Sequence, residues 1–363
     1  MKTPTRMNFL QTPKIRIPKP CFRQFQRLLS HKEEPMMNKN ERIKAAITGE
    51  KPDTIPYSFW AHMPAIDRDP PLIAEKTWEF FNRYNLDLVK TMNNGMYSVE
   101  DFGCEVDFSE IENGGVAKIK TTPINRAEDF ETIKALGRKA LDRELEYLSR
   151  LMEKIQNQAP VVFTVFSPLT TVNKLCNGRI LEFIKAGVGK SVHKALEEIT
   201  EVTKLLVEES ITKGASGIFF VSQMGNYNIM TEELYREYGK TYDEEIIKAS
   251  KGWCNVIHAH GEQIMYTVFK DYPGEILNYH VWESPPAIEE AMKSGKCILG
   301  GLKRMDITNR KKDAVEKQIH DTITKLNGRK LILAPGCVIR YPVYEEMLDF
   351  IYNTKESEEA KLF

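Results

Sequence analysis

The chain has 363 residues, of which 42 % are hydrophobic and 28 % charged, and its 51 basic side chains balance its 51 acidic ones. These proportions are typical of a globular protein, and the length fits either two domains or one large α/β barrel with insertions. A net charge near zero gives no indication of a nucleic-acid-binding surface, and we expect no nucleic-acid partner. Because no apolar run approaches the ~20 residues that span a bilayer, we expect no membrane partner.

The cysteines are scattered along the chain, without a Cys-x-x-Cys pair and without a secretory signal before them. This distribution is typical of reduced thiols rather than of a disulfide framework. We therefore expect a cytoplasmic protein. The cysteines lie at positions 21, 104, 176, 254, 297 and 337.

Residues 1–37 form a basic leader that differs from the rest of the chain. Eight basic and two acidic side chains precede Pro35, and four prolines precede Cys21. An Arg-rich, acid-poor leader is typical of an organellar transit peptide. The alternative, which we favour, is translated upstream sequence with the natural start at Met36 or Met37. In that case we expect the leader to be disordered.

From Asn38 onward, short apolar runs alternate with helical patterns. Continuous apolar runs are typical of strands that are buried on both faces, as in a parallel sheet. Eight strand–helix units predict a single-domain α/β protein, a (β/α)₈ TIM-type barrel over residues 38–355 with a charged tail over 356–363; a doubly wound sheet is the alternative. Weak alternation and three glycines predict a small hairpin insertion over residues 102–122. Strands are predicted near residues 57, 89, 163, 220, 257, 279, 299 and 334. Helices are predicted over residues 73–84, 130–158, 172–186, 190–213, 231–250, 309–326 and 342–353, with shorter ones near 40–49, 264–270 and 285–294.

Polar residues collect at the carboxyl ends of the predicted strands. In barrel enzymes the chemistry lies at this edge, so we predict an active-site mouth there. The polar residues are His62, Asn93, Asn94, Ser167, Gln223, His258, His260, His280, Glu283, Arg304 and Cys337.

The stretch CNVIHAHGE, residues 254–262, predicts a metal site. Residues two apart on a strand point to the same side, so His258 and His260 would share one face. Two imidazoles can bind one metal ion if a third ligand is added, and Cys337, at the end of the last apolar run, is the best candidate. The alternative is a pair of hydrogen-bonded histidines without a metal, with Cys337 as a small buried hydrophobe.

Other mouth residues have candidate roles. His280, at a strand end, is a candidate general acid or base or a substrate contact, and the alternative is a satisfied core histidine. Glu262 follows the predicted metal pair and could orient an imidazole, or could be an acid at a helix N-terminus. Substrate contacts are predicted at three residues that could also be ordinary polar loop residues: His62, Asn94 and Gln223.

In this layout the chain resembles the uroporphyrinogen decarboxylase superfamily over roughly residues 38–355. The superfamily includes the haem-pathway decarboxylase and zinc-dependent, corrinoid-linked methyltransferases that deliver methyl groups to a thiol. Its fold is a distorted (β/α)₈ barrel, and the resemblance also implies a homodimer. The likeness lies in the order and spacing of RIKAAITGEKPDTIPYSFW, FSPLT, EELYREYGKTYDEEIIKA, VIHAHGE, LNYHVWESPPAIEEA, ILGGLKR and LAPGCVI.

Within the superfamily, the resemblance favours the methyltransferase branch. The arginines that hold substrate carboxylates after the first strand of the decarboxylase are missing near His62, and its essential aspartate aligns with Asn94. The methyltransferases bind zinc through His-x-Cys and a late cysteine. His258 and Cys337 match this pattern, whereas His260 replaces a cysteine. Exchanging a thiolate for an imidazole raises the net charge of the site and makes the metal a stronger Lewis acid.

The resemblance therefore predicts a zinc-dependent methyltransferase that moves a methyl group from a corrinoid or a methylated compound to a metal-activated thiol. The chain contains no Asp-x-His-x-x-Gly motif, so any corrinoid would be carried by a partner protein. The alternatives are a uroporphyrinogen decarboxylase of porphyrin biosynthesis that needs no cofactor, and a barrel that only carries a tetrapyrrole.

Overall fold

The computed structural model describes residues 36–63, 66–111 and 117–362, so the predicted leader lies outside it apart from Met36 and Met37. The strands are β1 (Val89–Lys90), β2 (Glu105–Asp107), β3 (Lys118–Thr121), β4 (Val161–Phe166), β5 (Gly217–Ser222), β6 (Val256–Ala259), β7 (Ile276–Tyr279), β8 (Cys297–Leu302) and β9 (Leu331–Pro335). Within the described ranges, seven of them form one parallel sheet in the order β1-β4-β5-β6-β7-β8-β9. The antiparallel pair β2 and β3 confirms the predicted hairpin insertion.

Helices connect these strands and cover the sheet. Three predicted helices are interrupted in the structure. In the one predicted over 231–250, a π-helical stretch over Arg236–Lys240 separates two α-helical parts. Residues Ala127–Thr132 form a 3₁₀ turn ahead of a helix that begins only at Lys139, and the stretch predicted as one helix over 172–186 is broken where Asn177 and Gly178 adopt left-handed backbone conformations. The last helix continues to Glu359, past its predicted end. The helices are α1 (Lys39–Thr48), α2 (Pro70–Tyr84), α3 (Tyr97–Glu100), α4 (Lys139–Ile155), α5 (Pro168–Leu175), α6 (Ile180–Lys185), α7 (Gly189–Thr212), α8 (Glu232–Tyr235), α9 (Thr241–Ala249), α10 (Tyr266–Phe269), α11 (Ile288–Ala291), α12 (Arg304–Thr308), α13 (Lys312–Leu326) and α14 (Glu345–Glu359).

The sheet is fully buried where it carries the predicted site. Every residue of β4 to β9 is buried, as expected for parallel strands covered on both faces. Among the described residues, none of the helices combines the length and the apolarity that crossing a bilayer requires.

The first predicted strand, near residue 57, is not a regular strand. Its residues form isolated bridges, in which Tyr57 pairs with Leu333 and Ala61 with Ile339. Proline has no N–H group to donate to a ladder, and Pro56 interrupts the run. The prediction of eight regular strands is therefore corrected to an α/β fold with a curled seven-stranded sheet, which is consistent with a TIM-like barrel.

Backbone bonds and side chains together hold this extended segment, since the Ser58 N–H donates to the Leu333 carbonyl of β9 at 3.0 Å. The Tyr57 N–H donates to the Asp87 carboxylate at 3.1 Å, and the Asp87 N–H donates to the Tyr57 carbonyl at 3.0 Å. The other Asp87 oxygen lies 2.6 Å from the Arg42 guanidinium of α1. At the segment's start, the Ile55 N–H donates to Glu359 of α14. Asp87 thus joins the segment, α1 and the start of β1.

We expect Asp87→Ala to lower the free energy of unfolding by about 2 to 4 kcal/mol, because it leaves a buried N–H unpaired and removes a buried ion-pair partner. Urea unfolding monitored by circular dichroism measures the change. The control is Glu79→Ala, which removes an exposed pair with Lys76 and should change stability by about 0.5 kcal/mol or less. Equal effects of the two substitutions would contradict the assigned role of Asp87.

Candidate metal centre

Four donor side chains meet at the carboxyl-terminal edge of the sheet. His258 lies in β6 and His260 directly after it, whereas His280 follows β7 and Cys337 follows β9. One ligand atom from each residue lies within 4.8 Å of those of the other three. We call these four residues the His/Cys cluster. Parallel strands end at the same edge, which is why residues so far apart in the chain converge.

Gly336 allows the end of β9 to approach the end of β7. A Cβ atom at this position would lie 2.7 Å from the Tyr279 carbonyl oxygen and 2.9 Å from the Cα atom of His280. Both distances are shorter than real Cβ contacts allow, so a residue without a side chain is required. This close approach brings Cys337 to within 3.6 Å of the Nδ1 atom of His260.

The orientation of His258 is fixed by Asn278 on the neighbouring strand. The Asn278 amide nitrogen donates to the carbonyls of Leu299, at 2.6 Å, and of Pro335, at 3.3 Å. Its Oδ1 atom must therefore face His258, where it accepts from Nδ1. The imidazole also stacks on Phe219, with 5.3 Å between the ring centroids. With the proton on Nδ1, the lone pair of Nε2 is free to bind a metal ion.

His280 contacts a carboxylate on one side of its ring. Its Nδ1 atom lies 3.5 Å from Glu283, whose other oxygen lies 3.5 Å from the Lys303 ammonium. The His280 Nε2 atom is buried and has no hydrogen-bond partner among the described residues.

Burial keeps the imidazoles of the cluster neutral. Burial and two neighbouring imidazoles hold the pKa of His258 well below its usual range. Burial, His280 and the Arg304 guanidinium lower the pKa of His260 to about 4, and burial and Arg304 lower that of His280 to about 4. Burial raises the pKa of the Cys337 thiol, although Arg304 opposes this shift. At neutral pH the three imidazoles are therefore uncharged and have lone pairs for a metal ion.

Several cations surround the cluster. Burial lowers the pKa of Lys90 to about 7, although Cys337 opposes this shift. The Nε atom of Arg304 is buried without a hydrogen-bond partner in the part of the chain that the structure describes. His62 is accessible to solvent, yet partial desolvation and the charges of Lys90, Arg304 and Arg340 lower its pKa. The mouth therefore favours a negatively charged ligand.

The structure brings together the predicted metal ligands and His280, but it does not place Glu262 beside them. Gly261 has a φ of 113°, and this turn leaves Glu262 exposed. Within the described ranges, Glu262 forms no hydrogen bond to an imidazole. Glu283, rather than Glu262, is the carboxylate that lies next to an imidazole of the His/Cys cluster.

The three predicted substrate contacts lie in different surroundings. His62 is exposed after the extended segment, and Gln223 is half-buried just past β5. Asn94 is only 2 % exposed. Its side chain accepts from the Met96 N–H at 2.8 Å and hydrogen-bonds to Asp67, so it is engaged within the protein.

Sequence reasoning assigned no role to Asn278 or Gly336, and it placed Glu283 in the mouth without a role. Asn278 pairs with His258 in the sheet register, and register is not visible in the sequence. For Glu283, the available signal was its position three residues after His280, which lies at the end of a predicted strand.

A curled parallel sheet with a His/Cys cluster at its carboxyl edge defines an α/β protein whose fold is consistent with a TIM-like barrel. A model of the uroporphyrinogen decarboxylase (URO-D) family matches residues 38–356, which is most of the chain. The protein belongs to this family, and the resemblance seen in the motifs is confirmed. No curated protein sequence matches the chain.

Solved structures share the fold. A methyltransferase from Methanosarcina mazei superposes with a TM-score of 0.75 and 17 % identity, covering 88 % of this chain and 99 % of that one. A B12-independent methionine synthase from Shewanella sp. W3-18-1, in complex with selenomethionine, gives a TM-score of 0.53 and 11 % identity, covering 88 % and 98 %. At these identities the similarity shows the fold.

The low imidazole pKa values predict an acid-sensitive protein. For His260 and His280, the folded-state pKa of about 4 lies below the ordinary histidine value of 6.5, so the unfolded chain binds more protons between these pH values. The contribution of these two neutral histidines to the free energy of unfolding is therefore fully present above pH 6.5 and falls as the pH drops toward 4. We expect the urea midpoint of the metal-free protein to fall over this range and His280→Gln to flatten the slope. An unchanged slope would contradict a depressed pKa for His280.

Proposed function

We propose that the protein is a metal-dependent methyltransferase that uses zinc to activate a small thiol as the methyl acceptor. The observation that carries this proposal is the convergence of His258, His260, His280 and Cys337 within 4.8 Å. The donor set fits zinc, which takes imidazole nitrogen and thiolate sulfur in tetrahedral sites. We propose His258, His260 and Cys337 as ligands.

A bound zinc ion would stabilise the anionic form of an acceptor thiol and so make it a better nucleophile at neutral pH. The chain's own residues would prepare the site for this chemistry. Asn278 holds His258 with its Nε2 lone pair available, and Gly336 permits Cys337 to reach the histidines.

Cations in the mouth would bind and orient the acceptor. The guanidinium of Arg304 influences the titration of His260, His280 and Cys337, so it lies within electrostatic reach of all three. An acceptor that carries a carboxylate or another oxoanion would satisfy it. His62 and Gln223 are proposed as further substrate contacts at the same edge.

The structural neighbours support this direction, since they include a methyltransferase and a methionine synthase. We propose a corrinoid, bound to a partner protein, or a small methylated compound as the methyl donor.

Decarboxylation of uroporphyrinogen is the second candidate function. The family match and the cations Lys90, Arg304 and Arg340 near His62 favour a substrate with several carboxylates. Asn94, which aligns with the essential aspartate of the decarboxylase, is uncharged and engaged with Asp67. It offers no carboxylate to stabilise a protonated pyrrole, which is why we rank this function second.

We expect the purified protein to contain close to one zinc ion per chain, because four protein donors meet at one point. His258→Ala and Cys337→Ala should each lose most of the metal, as measured by plasma mass spectrometry. Cys254→Ala is the matched control, because Cys254 is buried but lies outside the cluster, and it should retain the metal.

The same preparations should methylate a small thiol with methylcobalamin as the probe donor. A metal-free protein that decarboxylates uroporphyrinogen would overturn the proposal. Tight binding of a tetrapyrrole without turnover of either kind would instead identify a carrier.

Arg304→Gln should raise KM for a thiol that carries a carboxylate by about 10-fold to 100-fold, because a hydrogen bond to a charged group contributes about 1.5 to 3 kcal/mol. KM for an uncharged thiol of similar size should change little. Arg310→Gln, which removes an exposed arginine near Glu346, is the control. An equal rise for both thiols would contradict recognition of the anion by Arg304.

A further inference from the structure

His280 has one ring nitrogen beside a carboxylate and one without a partner among the described residues. Nδ1 lies 3.5 Å from a Glu283 oxygen, just beyond ordinary hydrogen-bond length. Nε2 is buried and lacks a hydrogen-bond partner among the described residues. Buried polar atoms are nearly always paired, so an orphaned one needs an explanation.

The surroundings of His280 do not supply that partner. The rings nearest to it belong to the cluster, with centroids 5.0 Å away at His260 and 6.2 Å away at His258. His280 contributes a ligand atom within 4.8 Å of those of His258, His260 and Cys337. Because Nδ1 faces Glu283, the nitrogen left for the cluster is Nε2.

Glu283 is placed to hold the ring. One of its oxygens lies beside His280 Nδ1, and the other lies 3.5 Å from the Lys303 ammonium. A carboxylate next to one imidazole nitrogen sets the tautomer and makes the other nitrogen a stronger ligand. The Lys303 backbone is held in turn, since its N–H donates to the Gln318 side chain at 2.8 Å.

We propose that His280 is a fourth protein ligand of the metal and that Glu283 is its positioning residue. This inference rests on the proposed function, since it requires a metal at the cluster. It changes the expected role of His280 from acid or base to ligand. With three imidazoles and one thiolate, the protein alone would complete a tetrahedral set, and an acceptor thiol would have to take the place of one donor.

Metal affinity and the absorption spectrum of the cobalt(II) protein test this assignment without any turnover. Affinity for zinc is measured by competition with a chelating dye. We expect His280→Ala to weaken zinc binding by at least about 10-fold and Glu283→Gln by about 10-fold to 100-fold. In the cobalt(II) protein, His280→Ala should shift the visible d–d bands, and added imidazole should restore the wild-type spectrum.

A second histidine–carboxylate pair provides the control. His320 Nδ1 lies 2.7 Å from Glu358 on the protein surface, so His320→Ala and Glu358→Gln should leave affinity and spectrum unchanged. Urea unfolding of His280→Ala and the rescue by imidazole distinguish loss of a ligand from loss of the fold.

Wild-type affinity and an unchanged cobalt spectrum in His280→Ala would overturn the assignment of His280 while leaving the proposed function intact. A wild-type protein that takes up neither zinc nor cobalt would overturn the proposed function and this assignment together.

Discussion

The parallel direction of the strands is the constraint on which the candidate site depends. Because β6, β7 and β9 end at the same edge, residues that follow them in the chain become neighbours in space. The pairing of His258 with Asn278 in the register of β6 and β7 then sets the orientation of one imidazole. A slip of one residue would turn Asn278 to the opposite face of the sheet and break its bonds to Leu299 and Pro335.

The electrostatics of the mouth follow from the same burial. Three imidazoles enclosed at the sheet edge are neutral because charging them would cost desolvation energy beside Arg304. Neutral imidazoles are good metal ligands, and the uncompensated cations around them favour an anionic ligand. Metal binding and recognition of an acidic substrate are therefore two results of one arrangement of charges.

The positions of most strands and the shared face of two histidines could be predicted from the sequence, because these features depend on local periodicity. Alternation placed His258 and His260 on one face, and the apolar runs located seven strands of the sheet. The predicted strand near Tyr57 was wrong as a regular element, because only isolated bridges pair it with the β9 region and the Asp87 side chain binds its N–H group on the other side. Such long-range pairing leaves no periodic signal.

The finer features of the site depend on turn geometry and register, which local patterns do not contain. The left-handed turn at Gly261 leaves Glu262 in solvent, whereas the turn after His280 places Glu283 beside the ring. Gly336 is informative only once the end of β9 is known to touch the end of β7.

The wide separation of the donors along the chain has a consequence for the order of folding. His260 and Cys337 are 77 positions apart, and the strands between them must pair before these residues meet. Closing so long a loop costs conformational entropy. Early in folding, before the strands have paired, a single contact between the ion and one ligand does not offset this cost. In zinc fingers, by contrast, the metal drives folding of a short segment. Here the ion would bind to an already assembled sheet, so metal loss would empty the site while leaving the fold in place.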